Sequence, residues 1–91
     1  MVSMSAAKFK IMPTGPEVDL EKIKTDINEK IKELGGMPGE IEEQPIAFGL
    51  KALIVMIAYP EEKEIDSVGN ELEKIENVSS SELIDYRRAI G

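Results

Sequence analysis

The spacing of hydrophobic and polar positions changes several times along the chain, and each change marks an element. Over Ala6–Met12, Ala7, Phe9 and Ile11 alternate with Lys8 and Lys10 in the period-two pattern of a half-buried strand, which Pro13-Thr14-Gly15-Pro16 ends in a rigid turn. The period then lengthens. Leu20, Ile23, Ile27, Ile31 and Leu34 recur at three- and four-residue spacing, with Asp19 as a cap and Gly35-Gly36 as a stop, so a helix is predicted. Its outer face should pair Asp26 with Lys30 and Glu29 with Lys32, each pair worth roughly 0.3 kcal/mol. Glu40–Ile46 reads as a short polar strand that Pro45 confines to a sheet edge, because proline cannot donate to the ladder. Glu40, Glu42 and Glu43 protect that edge by charge; a hard-cation site is the weaker reading, since no loop of calcium-binding spacing accompanies them.

Lys51–Tyr59 is apolar on both alternating sets, as in a central strand; it falls short of the ~20 apolar residues of a membrane span and carries Lys51 at its start. Phe48-Gly49 forms the hairpin tip before it, where an aromatic ring has little core to enter, and is the first place to look for function. Pro60–Lys63 breaks the strand. Ile65, Val68, Leu72 and Ile75 then define a second helix with an acidic first turn, and Gly69 inside it, at a cost of about 1 kcal/mol against alanine, suggests close packing on the sheet. After Asn77 as a cap, Val78–Arg88 is the last strand, its alternation broken at Leu83-Ile84 by a bulge. Residues 1–5 are expected to be flexible and residues 89–91 to be a tail.

Strand, helix, strand, strand, helix, strand is the ferredoxin-like α+β order: an antiparallel sheet ordered 4-1-3-2 with both helices on one face. That arrangement sends Arg87-Arg88 to the end of the sheet opposite Phe48-Gly49, about 20 Å away for a six-residue strand. A small ligand cannot touch both ends, so if both act, the partner is a macromolecule. Met12, Ile54 and Met56 fall on the face away from the helices.

Composition narrows the chemistry. The chain's 91 residues make a single domain, 1–91. It has neither cysteine nor histidine, which removes most zinc sites, nucleophilic triads and the usual general base; no catalytic residue, metal or cofactor is implied. A net charge of −7 opposes nucleic-acid binding and favours a basic protein surface as partner. The amino terminus lacks the apolar stretch of a secretory signal, so a cytoplasmic protein, monomeric when free and with no membrane partner, is expected. Competing classes are a small-molecule-binding regulatory module on the same fold, which would dimerise, and an RNA-recognition module, which would need stacking aromatics beyond Phe9. An enzyme ranks last, with Tyr59 and Tyr86 the only phenols.

Pro45-Ile46-Ala47-Phe48-Gly49-Leu50-Lys51-Ala52-Leu53 before an apolar strand, together with Ile11-Met12-Pro13, Val18-Asp19-Leu20, an acidic start to the second helix and a terminal Asp85-Tyr86-Arg87-Arg88, closely resembles the archaeal translation elongation factor 1-beta family, from about Ala6 to Arg88. The resemblance implies an exchange factor that binds the GTPase elongation factor 1-alpha and speeds release of its GDP. Phe48 and Gly49 match the hairpin that docks on the GTPase, and Lys51 matches a basic residue just after it. In eukaryotic relatives a lysine near the carboxyl terminus reaches the magnesium and phosphate region of the nucleotide pocket; Arg88 stands at that position with Arg87 beside it. This is a departure in chemistry, since guanidinium is a planar fork and ammonium a compact point charge.

Overall fold

The alternating first segment becomes strand β1, Met4–Pro13, in which Ser5, Ala7, Phe9, Ile11 and Pro13 are buried and the residues between them are not. The computed structural model describes residues 3–88. The flexible start expected through Ser5 is therefore too long. Met4 and Ser5 pair with Pro60 and Tyr59, and the buried Ser5 hydroxyl donates to the Tyr59 carbonyl at 2.9 Å, which fixes the strand's first turn of pairing. Residues 1–2 and the expected tail, 89–91, lie outside the described residues.

Helix α1, Leu20–Glu33, begins where Asp19 Oδ1 accepts hydrogen bonds from the backbone N–H groups of Glu21 and Lys22, and ends before Gly35, whose φ of 92° takes the chain out of the helix. Ile23, Ile27 and Ile31 face the sheet and are buried. The expected outer-face pairs do not form. Asp26 pairs instead with Lys22 at 3.0 Å, while Lys30 lies 3.7 Å from Glu33 and 3.9 Å from Glu71 of the second helix, which supplies a carboxylate the one-helix argument could not see.

Strand β2 runs Met37–Pro45, starting three residues before the predicted strand, and is joined by a turn at Ala47–Gly49 to β3, Lys51–Pro60. Its early start is made possible by a bulge between Pro38 and Ile41: a Cβ on Gly39 would stand 2.9 Å from the Met56 carbonyl oxygen, so only glycine lets the edge strand close on β3 there. Helix α2, Ile65–Glu73, lays Val68 and Leu72 on the sheet. Gly69 has the packing role suggested by the sequence, since an added Cβ would meet the Phe9 ring at 3.2 Å. Asn77, at a φ of 70°, turns the chain and its carbonyl accepts from the Thr14 N–H at 2.9 Å. Strand β4, Val78–Arg88, carries the expected bulge: Lys8 lies opposite Asp85 and Phe9 opposite Leu83, leaving Ile84 without a partner.

The sheet is antiparallel in the order β2-β3-β1-β4, the predicted order read from its other edge, and the fold is the ferredoxin-like βαββαβ α+β arrangement. One apolar core lies between sheet and helices, built from Ala7, Phe9, Ile11, Leu53, Val55 and Ile57 beneath the α1 isoleucines and the α2 Val68 and Leu72. The most apolar strands, β1 and β3, are central because each side chain fully buried there contributes roughly 2 kcal/mol. Among the described residues no helix is long and apolar enough to cross a membrane.

Candidate functional site: the two ends of the sheet

At one end, the β2–β3 connection is closed by the Ile46 N–H donating to the Leu50 carbonyl at 2.8 Å and the Leu50 N–H donating to Ala47 at 3.2 Å. Fitting these bonds into so short a link requires two successive left-handed residues, Phe48 at φ 61°, ψ 33° and Gly49 at φ 77°. Glycine takes that conformation freely. A phenylalanine there costs roughly 1–2 kcal/mol, because its Cβ crowds the following carbonyl. The ring recovers nothing by packing, since Phe48 is 94% exposed. The Pro13–Pro16 turn backs the link, with Pro16 Cβ 3.7 Å from where a Cβ on Gly49 would lie.

Lys51, just past the turn, is half-exposed and lies 3.6 Å from Glu43, whose other oxygen accepts a 2.7 Å hydrogen bond from Lys24 of α1. Glu43 therefore ties the hairpin to the helix, besides charging the edge. The hydrogen bond from Lys24 holds its carboxyl below the usual range, with Lys51 adding a smaller coulombic pull, and Glu43 in turn raises Lys24, helped by Glu21. A carboxyl lowered in the folded state stabilises it above the unfolded pKa of about 4.3, and that contribution is lost as pH falls through the lower folded value. For Lys24, raised, the contribution is complete below about 10.5 and is lost as pH rises through the higher folded value. Glu43→Gln should thus lower the melting midpoint at pH 7, and the gap to the parent should close as pH falls through the lowered pKa of the Glu43 carboxyl, which a thermal melt series across pH would read.

At the other end stand Arg87 and Arg88, which point to opposite faces. Arg88 lies opposite buried Ser5 and so projects on the helix side, where its Nε is 4.0 Å from Glu61. Arg87 lies opposite exposed Ala6, on the open face, with its Nε 3.5 Å from Asp85. Both ion pairs are solvent-exposed at the arginine and hold it weakly. Arg88 borders a cleft of about 310 Å3 that Glu61, Lys63, Asp66 and Tyr86 also line. Lys63 is fixed there, donating to the Leu34 carbonyl at 3.0 Å with its ammonium 5.8 Å from the Tyr59 ring centre.

The strand register keeps the two ends apart. Eight residue steps separate Lys51 from Tyr59, about 26 Å at ~3.3 Å per residue, more than the separation expected from shorter strands, in a molecule whose longest dimension is 44 Å. The structure brings Phe48, Gly49 and Lys51 together at one end and Arg87 and Arg88 at the other, and unites neither pair of ends around one pocket. Sequence reasoning missed Glu61 as the neighbour of Arg88, having only a Pro60–Lys63 break to go on; the 4-1-3-2 order, which brings the ends of β3 and β4 to the same end of the sheet on either side of the start of β1, was the available signal. It also missed the left-handed backbone of Phe48, which the residue type argues against.

Residues 6–88 match the EF-1 guanine nucleotide exchange domain. The chain belongs to that family. The match spans both ends of the sheet, from the first strand to Arg88. Among similar proteins, elongation factor 1-beta of Methanothermobacter thermautotrophicus is 45% identical to this exchange domain over 83 residues, covering 90% of this chain and 92% of that protein. Elongation factor 1-beta of Metallosphaera sedula is 40% identical over 82 residues, covering 88% and 89%. Of solved structures, the ACT domain from the GTP pyrophosphokinase of Chlorobium tepidum superposes with a TM-score of 0.61 at 15% identity, over 87% of this chain and 96% of that one. The C-terminal domain of the MgtC protein from Mycobacterium tuberculosis gives 0.61 at 10% identity, over 97% and 88%. These two likenesses extend to the fold alone. Family membership supports an EF-1 exchange-factor role for the domain.

Proposed function

We propose that this protein binds the GTPase elongation factor 1-alpha in its GDP-bound and nucleotide-free states and speeds its GDP release during protein synthesis in the cytoplasm, acting as a monomer and carrying out no covalent chemistry itself. The single observation that carries the reading, beside the family, is the strained and fully displayed Phe48 ring, which contributes nothing to the domain's own stability. In this reading Phe48 and Gly49 dock on the GTPase, Lys51 adds a nearby charge, and the ring fixes register as an interface anchor. Arg88, with Arg87 beside it, approaches the magnesium and phosphate region at the far end. An exchange factor must favour the nucleotide-free state over the loaded one, and a cation near the metal position does so by competing for its anionic ligands. Arg88 is positioned to act this way because the Glu61 contact that it would release is long and exposed.

Stopped-flow release of fluorescently labelled GDP from the cognate GTPase tests this. The protein should accelerate release, Arg88→Ala should lower the acceleration at least about tenfold, and Arg88→Lys should retain more of it than alanine. No acceleration by the parent protein would overturn the reading.

A further inference from the structure

The sheet face turned away from the helices has a composition that the fold does not require. In β1 the odd positions from Ser5 to Pro13 are buried, so Met4, Lys8, Lys10 and Met12 share the other face; the register places Met37 beside Ala58 and Met56 beside Lys8 on that same face. Every methionine among the described residues, Met4, Met12, Met37 and Met56, therefore lies on this one surface, while the buried core contains none. Unbranched, polarizable methionine side chains adapt to another surface, and their concentration outside a core is a mark of binding.

The charge on this face is equally uneven. Lys22, Lys24, Lys30, Lys51 and Lys74 each lie within 4.0 Å of a carboxylate. Lys8 and Lys10, like Lys32 and Lys63 elsewhere, enter no ion pair among the described residues, although the chain's net charge is −7. Asp85 and Glu82 stand opposite them in register, but Asp85 is turned to Arg87 at 3.5 Å. The acidic positions of this face, Glu42, Glu82 and Asp85, are on the edge strands, and the lysines are on the central strand β1. The helix layer on the other side presents Asp26, Glu29, Glu33 and Glu76 around a groove that Lys30 and Ile75 also line. Overall charge points to a basic partner; this face is the local exception.

Size completes the argument. An anchor at each end of the sheet cannot supply the ~800 Å2 that each partner gives to a standard interface. A four-stranded face, roughly 20 Å across and roughly 30 Å along its ten-residue strands, offers about 600 Å2 and runs without interruption from the Phe48 turn to Arg87. We propose that this methionine- and lysine-bearing sheet face is the main docking surface for the GTPase between the Phe48 turn and the Arg87 end of the sheet, receiving there a surface whose apolar side chains meet the methionines and whose carboxylates meet Lys8 and Lys10. The inference rests on the function proposed above and adds the face by which the partner is held.

The test uses the intact protein and the nucleotide-free cognate GTPase. K8E/K10E should weaken binding roughly 10- to 100-fold and slow association, with the milder K8Q/K10Q intermediate, while E29K/E33K on the helix layer should change it by less than about twofold. With 13C-methyl methionine, a soluble nitroxide should broaden the Met12, Met37 and Met56 methyl signals of the free protein, and the GTPase should protect them. If Phe48→Ala weakens binding while those methyls remain open to the nitroxide in the complex, the docking face is wrong and the exchange role stands. If the free protein sediments as a dimer that K8E/K10E dissociates, a second copy occupies the face and the inference is overturned.

Discussion

Phe48→Ala is expected to reduce affinity for the nucleotide-free GTPase, and the saturable acceleration of GDP release with it, by at least about 30-fold, the loss of some 2 kcal/mol typical of a buried aromatic anchor. Its folded state should be almost unaffected, because the ring touches solvent on nearly every side at 94% exposure. A sharper version uses Phe48→Gly. Glycine adopts the positive φ of 61° without strain but brings a more flexible unfolded chain, so it should be more stable than the alanine variant by about 0.5–1 kcal/mol while binding no better. Denaturant melts together with a binding titration would show the two effects separating. If alanine and the parent release GDP from the partner equally fast, the turn is not an anchor.

The largest effect on stability should come from Ile27→Ala. Ile27 is fully buried at 0% exposure between α1 and the sheet, and removing most of its side chain leaves a cavity that the surrounding branched residues cannot close. The loss should be about 3 kcal/mol, which for a domain of 91 residues lowers the melting midpoint by roughly 12–24 °C. Calorimetry checks it. An exposed neighbour on the same helix, Lys32→Ala, should shift the midpoint by no more than about 2 °C in comparison.

Much of this architecture was legible because local and global signals agree. The isoleucine spacing of α1, the doubly apolar β3 and the Pro45 edge strand each allow one placement, and together they determine the strand order. What was not legible arises between elements. Lys30 lies between Glu33 of its own helix and Glu71 of α2, and Glu43 became a tie only when α1 came to lie beside β2. The early start of β2 depended on a glycine bulge whose need is set by the Met56 backbone. At the candidate site, the sequence pointed to Phe48 by its place at a hairpin tip, but its backbone conformation is imposed by closing that turn. The arginines were found as a pair and are separated by the pleat.

Ile84 gives that separation its direction. Side chains on a strand alternate with a period of two, so one supernumerary residue inverts the alternation for everything after it. Ahead of Ile84, Leu83 faces inward; beyond it, Tyr86 and Arg88 do, where an uninterrupted strand would have turned Asp85 and Arg87 to the helices. Were Ile84 to pair in register instead of bulging, the same residues would offer Arg87 to the Glu61 cleft and expel Tyr86 into water; removing Ile84 altogether would leave Tyr86 and Arg88 facing inward on a regular strand. The bulge at Ile84, more than the identity of the terminal residues, therefore selects which cation this end of the molecule delivers.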